Sequence, residues 1–302
     1  MGEGMMIPIS SKFISNWFNS REFGRAQAAW VSGNYLGPAV GAIILTYVTA
    51  AFSWHVSFYM LAAFNLLITI PMFIFLARNK PEDHPNLSRE ELAYIRSSEP
   101  KSDKEGAVSF VQDFRYWIVF VGMLAASFLF FGISIWLPTY LVQAKHFTRD
   151  AMAGITSLSW VFALCFVLVC GFLSDKTRRP GLLAAILFGL CVLFLSAAYV
   201  AANPVIAGFA LGLAMGTQGG VFHLSNLFVV KFSTKETAGR AAGLMGFTNL
   251  LGGFSSYIMG WMRDIAGGDF TPSIIMLIAV SAVGLVAYLT TLKKEAAEAR
   301  QA

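Results

Sequence analysis

Charge is what this sequence has least of. Asp, Glu, Lys and Arg make up 13% of its 302 residues, about half the share found in an ordinary soluble domain, and they are unevenly spread. Eight stretches carry none of them: 26–51, 53–77, 116–140, 151–173, 181–202, 205–230, 241–262 and 272–292. A helix crossing the roughly 30 Å hydrocarbon layer of a bilayer needs about 20 apolar residues, and every stretch reaches that length. One helix that is apolar all round can hide in a soluble core, but eight in succession would leave no polar face for water. The short alternating segments of a membrane β-barrel are missing as well. The expected fold is therefore all-α and integral to the membrane, with about eight complete spans.

The residue types that carry metal and acid–base chemistry are also scarce. There are four His, none in a ligand spacing, and three Cys, namely Cys165, Cys170 and Cys191, each inside an apolar stretch. Their spacing matches no disulfide or metal pattern, and they read as small buried hydrophobes. No acid pair lies within the stretches and no Gly-rich phosphate loop follows a strand, which argues against a membrane-embedded enzyme or an ATP-driven carrier. No cofactor and no metal are expected. A channel stays open as an alternative, because a charged ring is built from several subunits.

The charge that is present sorts by loop. Of 22 Lys and Arg residues, eighteen fall at the two ends and in alternate connections, Arg21, Arg78, Arg115, Lys176, Arg240 and Lys293 among them. The opposite connections hold Lys145, Arg149 and Arg263, and Lys12 is the remaining one. The positive-inside rule puts the rich side in the cytoplasm, so an even number of spans leaves Arg21 and the tail 293–302 together on that side. The net charge of +5 is thus a topology signal and does not imply a nucleic-acid partner.

The longest connection, 78–115, mixes both signs and contains Ser88 three residues before Glu91, the spacing of a capping box that starts a short surface helix. It separates two spans from six. An internal repeat accounts for that imbalance. At an offset of 215 residues, Gly24-Arg25-Ala26 matches Gly239-Arg240-Ala241, Asn34 matches Asn249, Gly37 matches Gly252 and Ser10 matches Ser225, while Glu3 stands opposite Gln218. Repeats of this kind build many transporters. The expected organisation is a remnant of an N-terminal six-helix bundle (1–77), a central cytoplasmic loop (78–115), a complete C-terminal six-helix bundle (116–292) and a cytoplasmic tail (293–302). The first three helices and part of the fourth are expected to belong to a longer natural protein.

Gly171-Phe-Leu-Ser-Asp175-Lys176-Thr-Arg178-Arg179 closely resembles the cytoplasmic loop signature of the major facilitator superfamily, between the second and third helices of a six-helix half. Within that superfamily the chain looks like the anion:cation symporters. The resembling stretches are Gly2-Glu3-Gly4 with Pro8, Trp17-Phe18 with Glu22-Phe-Gly-Arg25-Ala26, Ser32-Gly33, Pro81-Glu-Asp-His84-Pro and Trp136-Leu-Pro138-Thr-Tyr140-Leu. The resemblance implies a monomeric bacterial inner-membrane permease. It would take up an organic anion such as a hexuronate or aldonate, coupled to a proton or sodium ion, by alternating access. The alternative is a non-transporting fragment of such a permease.

Glu3 resembles that family's acidic position implicated in proton coupling, and a carboxylate in a poorly hydrated cavity has its pKa raised toward neutrality. His223 lies eight residues before Lys231, about 12 Å along a helix from its cytoplasmic end, with Asn226 on the same face. An imidazole there suits a proton relay or an anion contact as well as an interhelical hydrogen bond. Gln218 and Ser225, seven residues apart, share a face; with Asn34, Tyr35 and Asn249 they supply the amides and hydroxyls that suit a hydroxylated carboxylate. Each is equally suited to joining helices. Gly33, Gly37 and Gly41 repeat at the spacing of a close helix–helix contact. Asp175, among Lys176, Arg178 and Arg179, is expected to cap a neighbouring helix N-terminus as a gate.

Overall fold

The computed structural model of the chain describes residues 13–14, 16–19, 23–78, 80–84, 87–96, 114–177, 179–232, 238–290 and 292. Helices dominate and no strand occurs among these residues. The chain divides into two compact units, one of Met1–Gly37 and Gly41–Asp103, the other of Pro38–Val40 and Lys104–Ala302.

The first unit holds α1 (Phe23–Ala51, with Pro38 inside it) except for Pro38–Val40, and α2 (Trp54–Phe64). A wider π turn over Asn65–Thr69 carries α2 on into α3 (Ile70–Leu76). Pro71 explains the turn. It has no N–H for the carbonyl of Leu67, and its ring crowds that carbonyl, so the helix widens by one residue instead of breaking. Ser53 starts α2 by accepting a bond from the Val56 amide at 3.4 Å, and Thr49 is joined to Ser57 across the corner at 2.8 Å.

Beyond Leu76 the chain makes one tight turn at Pro81–Asp83 and then α4 (Arg89–Arg96). The capping box is complete: the Glu91 amide donates to Ser88 Oγ and the Ser88 amide to Glu91 Oε2, both at 3.1 Å. Arg96 reaches back to pair with Glu82, and the pairing holds the Glu82 carboxyl below its usual range. Two side chains from the start of the chain fasten this region. The Trp17 indole N–H donates to the Arg78 carbonyl at 2.8 Å, with His84 edge-on to the ring. Asn19, buried, donates to the Tyr94 carbonyl at 2.9 Å.

The second unit is a bundle of six helices: α5 (Phe114–Gln143), α6 (Arg149–Thr177), α7 (Pro180–Val200), α8 (Pro204–Phe232), α9 (Ala238–Ile265) and α10 (Thr271–Leu289). The main contacts are α6 with α8, α5 with α9, α7 with α8, α5 with α10, α7 with α10, and α5 with α8. Exchanging α5, α6 and α7 for α8, α9 and α10 leaves that pattern unchanged, as expected of a bundle made from two three-helix repeats. Phe188, Tyr288, Leu129, Leu195 and Leu277 are buried to below 2% exposure at its centre.

Seven of the eight expected segments are long and apolar enough to span a membrane: Ala29–Ala51, Trp54–Leu76, Tyr116–Gln143, Arg149–Ser174, Pro180–Val200, Pro204–Ser225 and Thr271–Leu289. The eighth, 241–262, falls short in apolar character alone. That segment lies within α9, whose 28 residues would reach about 42 Å, but its Gly, Thr, Asn and Ser residues dilute its apolar character. Those polar groups turn inward, with Thr248 and Ser255 fully buried. The cysteines also divide. Cys170 and Cys191 are buried as expected, whereas Cys165 is exposed on α6.

Candidate functional site

A polar knot joins α5 to α9. Ser127 Oγ donates to Asn249 Oδ1 at 2.9 Å and stands 3.5 Å from Thr248 Oγ1. Ser127 lies about 20 Å along α5 and Asn249 about 17 Å along α9, which puts the knot near mid-depth. The approach is close because Gly252 has no side chain: a Cβ there would overlap Ser127 Cβ and lie 2.9 Å from the Phe128 amide nitrogen. A second strap follows nearer the far end of the helices. The Trp136 indole donates to the Ser256 carbonyl at 2.8 Å, and Ser256 Oγ to the Phe131 carbonyl at 3.3 Å. Asn249 is partly exposed. Its amide hydrogens make no hydrogen bond to another described residue, so they can serve a ligand.

Gln218 and Ser225 do share a face of α8, and that face is turned into the bundle. Both are fully buried. Gln218 Nε2 donates to Thr217 Oγ1 at 2.9 Å, beside the Cys191 thiol of α7 and Ser281 of α10. Its Oε1 has no partner among the described residues. Ser225 is joined to the Tyr288 hydroxyl of α10 at 2.8 Å. In this structure the two residues tie α8 to its neighbours.

His223 is partly exposed on α8 and meets α6 at the first residue of the loop signature. A Cβ added to Gly171 would stand 3.3 Å from His223 Nε2. Gly171 and Asp175 are one helical turn apart on α6, and Lys176 is exposed near its end. Arg179 precedes α7. Asn226 lies on α8, but its side chain, that of Asp175, and Glu3 and Arg178 as a whole fall outside the described residues.

In the first unit Tyr35 is buried and Asn34, its neighbour on α1, is exposed. Gly33, Gly37 and Gly41 lie along the same helix, and a Cβ added to any of them meets no atom within 4 Å. The glycines that admit a close neighbour are elsewhere: Gly252 admits Ser127, Gly122 admits Tyr288 and Gly284 admits Phe188.

Sequence reasoning missed Ser127 and Arg263. Ser127 is a lone hydroxyl at the middle of a charge-free run, and that isolation was its signal. Arg263 was counted for topology alone.

The model of the Major Facilitator Superfamily matches residues 1–257. The chain belongs to the Major Facilitator Superfamily. Relatives in this superfamily include the hexuronate transporter of Bacillus subtilis, 27% identical over 225 residues, which cover 73% of this chain and 50% of that protein. The glycerol-3-phosphate transporter of Bacillus subtilis is 26% identical, over 94% of this chain and 67% of that protein. The D-galactonate transporter of Escherichia coli is 23% identical, over 95% and 70%. The chain thus spans half to about two thirds of the length of these relatives. A bacterial homolog of the human lysosomal transporter Spinster, solved in an inward-facing and occupied conformation, superimposes with a TM-score of 0.66 over 94% of this chain and 72% of its own, at 13% identity. That likeness shows the fold, and the seven long apolar helices among the described residues mark a multi-pass membrane protein.

Proposed function

We propose that this major facilitator chain serves the transport of an organic anion of the sugar-acid class, such as a hexuronate or aldonate, across a bacterial inner membrane. The observation that carries the reading is the mid-depth knot of Ser127, Thr248 and Asn249, with the Asn249 amide left able to donate. Transporter substrate sites sit near the bilayer midplane, and amide donors bind hydroxylated carboxylates without burying an unpaired charge. The names of the hexuronate and galactonate transporters point to the same substrate class.

Transport would proceed by alternating access. Glu3 would carry the coupling proton, with sodium as the other candidate ion, and His223 would relay it or touch the anion. Asn34, Tyr35 and Asn226 would complete the lining, with Gln218 and Ser225 holding α8 in register behind it. The loop of Gly171, Asp175, Lys176, Arg178 and Arg179 would act as the cytoplasmic gate, on the same side as the C-terminus. Gly33, Gly37 and Gly41 would face a partner surface that slides during the cycle. The working form would be a monomer.

The test is uptake of labelled galactonate, glucuronate and glycerol 3-phosphate by cells expressing the chain, at several external pH values. Uptake of the sugar acids that rises as external pH falls supports the reading. Uptake of glycerol 3-phosphate alone replaces the substrate class. Absence of all three, with the protein in the membrane, sinks it.

A further inference from the structure

Three loops of the second unit meet at one end of the bundle: those joining α5 to α6, α7 to α8, and α9 to α10. They are held together by two cations on one set of rings. The Arg263 guanidinium lies 5.8 Å from the Trp136 ring centre and 5.2 Å from that of Phe270. Lys145 Nζ lies 5.8 Å from the ring centre of Tyr140. Phe270 touches both other rings edge-on, Trp136 at 5.9 Å and Tyr140 at 5.4 Å. Ring faces attract cations and fix their orientation.

Lys145 has no acid partner among the described residues, and Arg263 has only a loose one in Asp264. Arg263 Nη2 donates to the uncharged Gln143 Oε1 at 2.7 Å, and its buried Nε has no partner among the described residues. Lys145 Nζ reaches the Ala201 carbonyl at 3.5 Å. The acids at this end are Asp150, Asp264 and Asp269. Asp269 accepts from the Thr271 amide at 2.9 Å, at the start of α10, and Asp150 sits in the first turn of α6. Both are engaged by the positive end of a helix. Asp264 stands 3.7 Å from Arg263 Nη1, with its side chain 77% exposed, too far for a hydrogen bond. Arg149, His146, Tyr140 and Tyr199 are the other titratable groups at this end.

We propose that this end of the bundle is a carboxylate-docking station, where Arg263 and Lys145 receive an organic anion before it moves deeper. The Nη groups of Arg263 keep hydrogens to donate, and Asp264 is a loosely held occupant that an incoming carboxylate displaces. Charge-assisted bonds of a guanidinium to a carboxylate are the strong ones, and a cation fixed in advance loses little freedom on binding. This inference rests on the sugar-acid reading for the identity of the anion. The docking of an anion as such is tested apart from it.

The experiment uses the full chain in nanodiscs of neutral phosphatidylcholine at constant ionic strength. Fluorescence quenching by iodide, an anion, is compared with quenching by neutral acrylamide, and the difference between wild type and W136F isolates Trp136. The iodide-to-acrylamide ratio at Trp136 is expected to fall about threefold in R263Q and in K145Q, recover in R263K and rise in D264N. D-Galactonate is expected to displace iodide from wild type at concentrations where neutral galactitol does not. A ratio unchanged by R263Q and K145Q overturns the station, with R263K controlling for folding. Iodide enrichment that galactonate leaves intact overturns the organic-anion assignment. If enrichment and displacement hold while cells take up no sugar acid, the transport reading fails and the station stands.

Discussion

Ser127 and Asn249 face each other across α5 and α9, hydroxyl to amide oxygen at 2.9 Å, at the depth where both helices are furthest from water. The bond orients the amide so that its hydrogens point away from Ser127. Ser127→Ala removes the orienting donor and leaves the amide free to turn, whereas Asn249→Ala removes the amide itself. We expect Asn249→Ala to weaken galactonate binding about tenfold, the equivalent of about 1.4 kcal/mol. Ser127→Ala should cost about 0.6 kcal/mol of bundle stability, the usual worth of such a bond in a membrane. Calorimetric titration and unfolding in bicelles separate the two. Equal binding by wild type and Asn249→Ala removes Asn249 from the site.

Glycines of the two units should respond in opposite ways. Gly252→Ala drives a methyl group into Ser127 and the Phe128 amide, and overpacking against backbone costs about 1–3 kcal/mol. Gly37→Ala meets open space and gains helix propensity worth up to about 1 kcal/mol. Thermal unfolding of the two variants in one detergent checks both signs. A destabilised Gly37→Ala would reveal a surface pressed against α1.

The Glu82–Arg96 pair makes the α4 region sensitive to acid. Its cause is chiefly the hydrogen bond from Arg96, which lowers the Glu82 pKa from 4.5. A lowered carboxylate pKa contributes stability that is present above the unfolded value and lost as pH falls through the folded one. Hydrogen exchange in residues 89–96 should therefore be level from pH 7 to about pH 5, after correction for intrinsic rates, and quicken below 4.5. Glu82→Gln should show no such quickening. Identical profiles for the two proteins would remove the pair from the account.

Asn19 fixes the same region from the other side. Asn19→Ala leaves the Tyr94 carbonyl without its buried donor, a loss of about 1–3 kcal/mol. The expected readout is faster proteolytic cleavage between residues 78 and 96, with the bundle α5–α10 unaffected. Ser88→Ala should act on α4 alone, costing about 1 kcal/mol of helix through its cap. Circular dichroism of the whole chain would barely register it, so amide exchange at Glu91 is the measurement to make.

The helices were legible because a charge-free run of about 20 residues is what crossing a bilayer demands and what a soluble segment seldom has. The capping box at Ser88 was legible for a similar reason, since its chemistry is local. The direction in which Gln218 and Ser225 face was not. Their spacing of seven puts them on one side of α8, but whether that side meets a cavity or the Cys191 and Tyr288 side chains depends on how α7 and α10 pack. Arg263 shows the same limit. Its place at the end of α9 could be read from sequence, while the rings beneath it come from residues 127 positions earlier (Trp136) and seven later (Phe270). The π turn had a local cue in Pro71. The shortfall of α9 as an apolar span came from polar residues that are costly in lipid and comfortable inside a bundle.

The span Trp54–Leu76 has no buried residue in its most apolar window, and Ser57 is the one side chain on α2 that is covered. With so few contacts among the described residues, partitioning into lipid is the larger part of its free energy in this chain. Swapping Phe for Leu or Ile for Met along it should go unnoticed, whereas one Asp at its centre should be felt at once by the insertion machinery. Side-chain shape along this span is thus little constrained by the described residues, the reverse of what the interior of α8 demands.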